Sequence, residues 1–296
     1  MTKVKKYIFI SMTIGLLLLA AVGCNFNTIK GNKPIGNKTQ DPSTTTDPDQ
    51  DPTPEPTAEP TPEPTARPTA EPTWDELVKG SAVYARVNKD LKVYSYASTA
   101  SAVLGNIEAG STVLLIGQSS KLSMASIRYN GEKGYVSYDG LSIPEDPPTN
   151  TNRLSREQLE EYANEVGEFE SDTEYFLWTD IDRQLTYIYK GKTKDWSLKY
   201  VWDCATGLNM SPTTRGNYKI QERGNWFYTE RLNSGFYWWT RFNGGYLYHS
   251  YSYTRDGELY DDALGKRSSA GCVRLDTNHA KWIYDNIPQG TGVWVN

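Results

Sequence analysis

Two histidines and three cysteines make up the entire Cys/His inventory of this 296-residue sequence. Cys24 lies near the N-terminus, whereas Cys204, His249, Cys272 and His279 all fall in the last third. Cys272 sits in Ser268-Ser269-Ala270-Gly271-Cys272-Val273-Arg274. The small residues before it let the backbone turn tightly, expose the thiol and free amide N–H groups to form an oxyanion hole. Arg274 can stabilise a thiolate, hold a substrate carboxylate or serve as a structural anchor. Cys204, in Trp202-Asp203-Cys204-Ala205-Thr206, reads as a buried strand thiol. A Cys204–Cys272 disulfide is the competing use of the two thiols. His249 ends Gly245-Tyr246-Leu247-Tyr248, a strand whose alternation puts it with Leu247 and Tyr251 on one face. His279 reads as a solvated helical side chain. Cys204, His249, Cys272 and His279 are thus the residues from which a Cys/His pair for nucleophilic chemistry could be made.

Such a pair needs a folded, aromatic-rich scaffold, and the composition locates one. Eight of the nine tryptophans lie after residue 170, while ten of the sixteen prolines lie between Pro42 and Pro72. The first region can pack a core and the second cannot. Net charge is -5 and the isoelectric point about 5.3, which argues against nucleic acid as a partner. So few cysteines and histidines exclude a multi-disulfide scaffold and a zinc cluster of the usual ligand count. No metal or cofactor is expected.

Lys3, Lys5 and Lys6 precede an apolar run from Tyr7 to Gly23, as in a secretory signal. Ala21-Val22-Gly23-Cys24 resembles a bacterial lipobox. The resemblance implies cleavage before Cys24, its lipidation, and an extracytoplasmic protein that meets the membrane only through a lipid anchor. Residues 1–23 are thus expected to be a lipoprotein-type signal peptide. Residues 24–79 form a Pro/Thr-rich linker in which Glu-Pro-Thr recurs with a period of four. Held as polyproline II, Asp41 to Thr73 would reach on the order of 100 Å.

Residues 80–144 alternate short β-branched runs with turns, and Asn130-Gly131 marks a hairpin. Val87 to Leu91, Val103-Leu104-Gly105 through Gly110, and Tyr129 to Val136 resemble the bacterial SH3-like domains that accompany cell-wall enzymes. That resemblance implies a small barrel that binds peptidoglycan peptides; a structural spacer is the alternative. Residues 145–170 read as a linker and short helix, with Ser155 and Gln158 forming a capping box and Gly167 ending the helix. Residues 171–296 read as a β-sandwich in which Asp276 caps a late helix. The fold class is therefore mainly β, a small barrel joined to a sandwich with few short helices.

His249-Ser250 and Ser269-Ala270-Gly271-Cys272-Val273-Arg274-Leu275, with the cysteine 23 positions after the histidine, resemble the L,D-transpeptidase (YkuD-type) signature. Ser211 to Tyr218 resembles the family's Thr-Pro-x-Gly-x-Phe/Tyr segment, and Ala280 to Asn286 with Gly290-Thr291 its closing helix. Ala270 stands where the signature usually carries a second histidine. The resemblance implies that Cys272 attacks the carbonyl of residue 3 in a peptidoglycan tetrapeptide stem. His249 would relay the proton to the departing D-Ala, and an amine of a second stem would close a 3→3 cross-link. It also implies that Ser250 orients the imidazole and that Gly271, Ser269, Arg274 and Ser250 form the oxyanion and substrate-binding surroundings. An L,D-carboxypeptidase on the same scaffold, or a non-catalytic wall-binding lipoprotein, are the alternatives.

Overall fold

The structure is a computed structural model that describes residues 71–117 and 123–296. The expected signal peptide, Cys24 and most of the Pro/Thr-rich linker lie outside the described residues. A single helical turn, α1 (Trp74–Leu77), precedes β1 (Val83–Val87), β2 (Leu91–Tyr94), β3 (Val103–Ile107), β4 (Thr112–Gly117), β5 (Met124–Tyr129), β6 (Glu132–Ser137) and β7 (Leu141–Ser142). These strands pair in the order β3-β2-β6-β5-β4-β1-β7. Period-2 alternation buries Val83, Ala85 and Val87 from β1 with Leu91 and Val93 from β2. Asn130 and Gly131 both take positive φ, 49° and 83°, as the two-residue hairpin between β5 and β6 requires. The hydrogen-bonded order is open, ending at β3 and at the two-residue β7, where the sequence led us to expect a closed barrel. β3 packs Ile107 against this core but leaves Val103 and Leu104 exposed.

The Pro-containing segment expected to be a linker is bonded along its length. Asn150 N–H donates to the Asp182 carbonyl at 2.9 Å, and Thr149 Oγ1 to the Gly265 carbonyl at 2.7 Å. α2 (Arg156–Glu161) then starts as expected: Ser155 Oγ accepts from Gln158 N–H at 3.1 Å, and Gln158 Oε1 accepts from Ser155 N–H at 2.9 Å. The chain continues as a π turn over Tyr162–Val166 and leaves the helix at Gly167. The wider turn breaks the 3.6-residue stripe, so Leu159 and Ala163 are buried while Val166 is exposed.

The remainder comprises β8 (Tyr175–Asp180), β9 (Leu185–Lys192), β10 (Asp195–Ala205), β11 (Gly216–Lys219), β12 (Arg223–Thr229) and β13 (Ser234–Asn243). β14 (Tyr246–His249), β15 (Ser252–Tyr253), β16 (Leu259–Asp261), β17 (Val273–Leu275), α3 (Thr277–Asn286) and β18 (Gly292–Val295) complete it. The strand order is β11-β18-β8-β9-β10-β17-β14-β13-β15-β16, with β12 paired to β13. The long β10 joins two halves: Asp195–Asp203 pairs with β9, and Cys204–Ala205 with β17. Leu177 and Ile188 from one half share a core with Tyr248 and Val273 from the other and with Ile283 of α3. The sandwich is thus one hydrogen-bonded sheet folded over α3 and a common core. α2 covers the other face of β8 and β9, placing Leu159 and Ala163 against the cluster that holds Trp178 and Tyr187. Burial on both faces explains the unbroken apolar runs of these strands. Among the described residues, no helix is long and apolar enough to cross a membrane.

Candidate active site

β14 and β17 run parallel, with Tyr248 opposite Val273 and His249 opposite Arg274. Successive side chains alternate between faces. Tyr248, Val273 and Leu275 turn into the core. His249, Arg274 and Cys272, which immediately precedes β17, turn to the other side and line one cavity of about 630 Å³. The buried Tyr248 hydroxyl shares a 2.8 Å hydrogen bond with Thr179 Oγ1, tying β14 to the other half of the sheet. Asp276 caps α3 through the Asn278 N–H at 2.7 Å and fixes where β17 ends.

The turn before Cys272 is closed by its own side chains. Gly271 adopts φ of +122°, a conformation that L side chains rarely take. Ser269 Oγ donates to the Cys272 carbonyl at 2.6 Å and accepts the Gly271 N–H at 3.1 Å. Gly207 lets a second backbone come close: an ideal Cβ there would lie 2.2 Å from the Ser211 carbonyl oxygen and 2.9 Å from Gly271 Cα. Ser211 Oγ donates to the Ala270 carbonyl at 2.8 Å.

The imidazole is fixed from behind. His249 Nδ1 lies 2.7 Å from the Ser250 carbonyl oxygen, which can only accept, so Nδ1 carries the proton and Nε2 keeps its lone pair. Ser250 is pinned in turn: its Oγ accepts the Tyr237 N–H at 2.8 Å, and its own N–H donates to the Tyr237 carbonyl at 3.1 Å. Phe236 packs on the imidazole with ring centres 4.2 Å apart. Burial, helped to a smaller degree by the nearby Arg274 charge, drives the His249 pKa down to about 3 against the opposing pull of the Ser250 carbonyl. Burial likewise pushes the Cys272 thiol up to about 11, opposed by the Leu247 backbone and by Arg231 and Arg241. The free protein therefore holds a neutral thiol beside a neutral imidazole. The thiol is directed at the Gly245 carbonyl, 3.5 Å away, and makes no hydrogen bond to the imidazole.

Several expected roles change with this geometry. Ser250 contributes its carbonyl to the imidazole, while its hydroxyl is held between Tyr237 N–H and the Tyr251 carbonyl. The Gly271 N–H is taken up by the Ser269 hydroxyl, which makes Ser269 a brace of the turn. The buried Arg274 guanidinium bonds Asp261 at 2.7 Å and the Ala263 carbonyl at 3.3 Å, as an anchor would. Cys204 is fully buried and, like Cys272, a free thiol, so the disulfide alternative does not hold. His279 is not simply solvated: it stacks on Trp202 with ring centres 4.4 Å apart. Tyr251 falls beyond the end of β14.

Asp261, Phe236 and Tyr138 all line the cavity and were not legible as site residues. Only the pairing of β15 with β16 brings Asp261 to Arg274, and no local pattern marks which of the many acidic residues does so. Among the described residues, no group of three or more His, Cys, Asp or Glu side chains gathers as a metal cage would.

Residues 174–295 match the YkuD family, described as the L,D-transpeptidase catalytic domain. Over 141 residues the chain is 30% identical to the Bacillus subtilis (strain 168) protein YciB, whose name as an L,D-transpeptidase is provisional; this covers 44% of the chain and 71% of YciB. Among solved structures, a fused Zn-dependent amidase/peptidase/peptidoglycan-binding domain-containing protein from Clostridium acetobutylicum ATCC 824 is 28% identical. That likeness covers 51% of this chain and 65% of the other, slightly under two thirds of its length, with a TM-score of 0.41. An L,D-transpeptidase from Mycobacterium smegmatis is 15% identical over 70% of this chain and 82% of its own, with a TM-score of 0.35. By its match to the family and its identity with YciB, the chain belongs to the YkuD L,D-transpeptidase family.

Proposed function

We propose that the protein is a peptidoglycan L,D-transpeptidase that works by cysteine acyl transfer. The observation that carries this reading is the placement of Cys272 and His249 on one wall of a single cavity, with the imidazole fixed in the tautomer a base needs. A tetrapeptide stem enters with the carbonyl of its third residue over the sulfur. Rotation about χ1 carries the thiol from Gly245 toward His249 Nε2, which takes its proton as sulfur attacks. The Cys272 N–H, on the same residue as the sulfur, holds the oxyanion in place of the committed Gly271 amide. Collapse breaks the C–N bond to D-Ala; His249 returns its proton to the departing amine, leaving a thioester. The amine of a second stem then attacks the thioester and gives a proton to His249, which restores it to the sulfur as the new amide forms. One amide is exchanged for another, so the reaction needs no nucleotide.

The neutral resting pair supports this order of events. A thiol that keeps its proton at rest becomes a nucleophile only when a base removes it. Lipidation at Cys24 would then keep the enzyme at the outer membrane face, and the Pro/Thr-rich spacer would carry it toward the wall. SH3-like binding of wall peptides by residues 80–144 belongs to the same proposal.

Incubation of the full chain with a carbapenem tests the nucleophile, because a strained lactam acylates an activated thiol. Intact mass should show one adduct, mapped to Cys272, and none on Cys272→Ala. An unmodified wild type would refute the reading.

A further inference from the structure

We propose that the small β module is a working part of the acyl-transfer site, with Tyr138 as a positioning residue for the loop that carries Cys272. The inference rests on Cys272 being the nucleophile and adds a function for residues 80–144 beyond spacing or wall binding.

The contact runs through Leu208–Ser211, a strap between β10 and β11. Each of its four residues is bonded to a neighbouring segment. Leu208 N–H donates to the Ser269 carbonyl at 3.1 Å, and Ser211 Oγ to the Ala270 carbonyl at 2.8 Å. Those two bonds hold the turn directly before Gly271-Cys272. On the outer side, Tyr138 Oη donates to the Met210 carbonyl at 2.5 Å. Asn209 N–H donates to Asp146 Oδ1 at 2.6 Å, and its side-chain amide to the Pro144 and Glu145 carbonyls at 3.1 and 2.9 Å. Arg267, just ahead of the turn, donates to Asn209 Oδ1 at 2.9 Å. The strap is therefore clamped between the small module with its exit segment and the nucleophile loop.

A second contact reaches the strand of the base. Gly117, at the end of β4, lies so close to Tyr246 that an ideal Cβ there would be 1.8 Å from the phenolic oxygen. Tyr246 opens β14, three residues before His249. The module thus touches the strand that carries the base directly and reaches the turn that carries the nucleophile through the strap, and Tyr138 itself lines the cavity. Ala270 offers only a methyl group, with no hydrogen-bonding atom, so the strap adds its bond to the Ala270 carbonyl to the brace that Ser269 makes from inside. Acyl transfer is sensitive to displacements of about 1 Å, which can cost ~100-fold in rate.

The test uses the full chain and its Tyr138→Phe, Ser211→Ala and doubly substituted variants. Acylation of Cys272 by a carbapenem is followed by intact mass over a range of concentrations, alongside thermal unfolding. Each single variant should slow the limiting rate roughly three- to tenfold, the kinetic worth of one hydrogen bond, with half-saturation changed less than about twofold. The double variant should be no slower than the slower single one, because both act through the same strap. Wild-type limiting rates in the single variants would overturn the proposal. Losses that multiply in the double variant, or that fall only on half-saturation, would do the same. If the wild type itself is not acylated, the assignment of the nucleophile fails first, and this result is distinguishable from the others.

Discussion

Arg274 stands directly across from His249 in the parallel pairing of β14 and β17, which sets Cys272, two residues earlier, diagonally opposite the imidazole. Diagonal neighbours on adjacent strands lie roughly 7–8 Å apart, a spacing that an aromatic or long side chain can bridge. His249→Gln should therefore leave the fold intact and slow Cys272 acylation by ~10²–10⁴, the usual worth of a positioned base. Time-resolved intact mass measures this, and a change below about threefold would remove His249 from the mechanism.

The pH dependence follows from the buried His249 and the part-buried Cys272. His249, held down to about 3 from an ordinary 6.5, remains a neutral base through mild acid. The acid limb of acylation should thus lie well below pH 6, and a limb at 6.5 would contradict a buried imidazole. Stability has the matching sign. The unfolded chain takes a proton on His249 below about 6.5 that the folded chain refuses, so stability is lost progressively as pH falls toward 3. At the other end, the unfolded Cys272 ionises near 9 while the folded thiol holds its proton to about 11, so stability also falls as pH rises across that window. Chemical denaturation across pH reads both.

Arg274 acts through packing and charge. Arg274→Met leaves Asp261 without its partner, but Asp261 is 37% exposed and water compensates in part. A loss of about 1–3 kcal/mol is expected, below the cost of breaking a fully buried pair. Denaturant titration checks it; an unchanged midpoint would mean that the ion pair does not hold β16 in place.

Gly207→Ala would place a methyl against the Ser211 carbonyl and Gly271 Cα. We expect a loss of about 1–3 kcal/mol from overpacking together with slower acylation, since relief must come from the strap or the nucleophile turn. Normal acylation in a destabilised variant would show that the turn is insensitive to the strap.

Local signals in the sequence were read correctly where one or two residues satisfy a backbone need. Ser155 with Gln158, Asn130-Gly131 and Asp276 each act within four positions, and each forms as its residue types require. The facing of His249 and Cys272 was also legible, because alternation and a short motif suffice to place them on one wall. What failed was competition between partners. Nothing in Ser269-Ala270-Gly271-Cys272 tells that the Ser269 hydroxyl captures the Gly271 amide, or that Arg274 is taken by an aspartate 13 positions away. Long-range contacts were equally silent: Tyr138 and Met210 are 72 residues apart, and three prolines made the bonded segment before α2 look like a free tether. Strand count, likewise, does not say whether the end strands of the small module meet.

Anchoring has a separate check. Cys24→Ala should move the protein from the membrane fraction to the medium without changing acylation of Cys272, and membrane retention would reject lipidation as the anchor.

The most direct measurement supplies the full chain with disaccharide-tetrapeptide fragments of peptidoglycan and follows both enzyme and products by mass. The expected result is a thioester adduct on Cys272 equal to the stem less D-Ala, followed by 3→3 dimers, with neither formed by Cys272→Ala. Tetrapeptides left untouched by the wild type, or an acyl group found on any other residue, would contradict it.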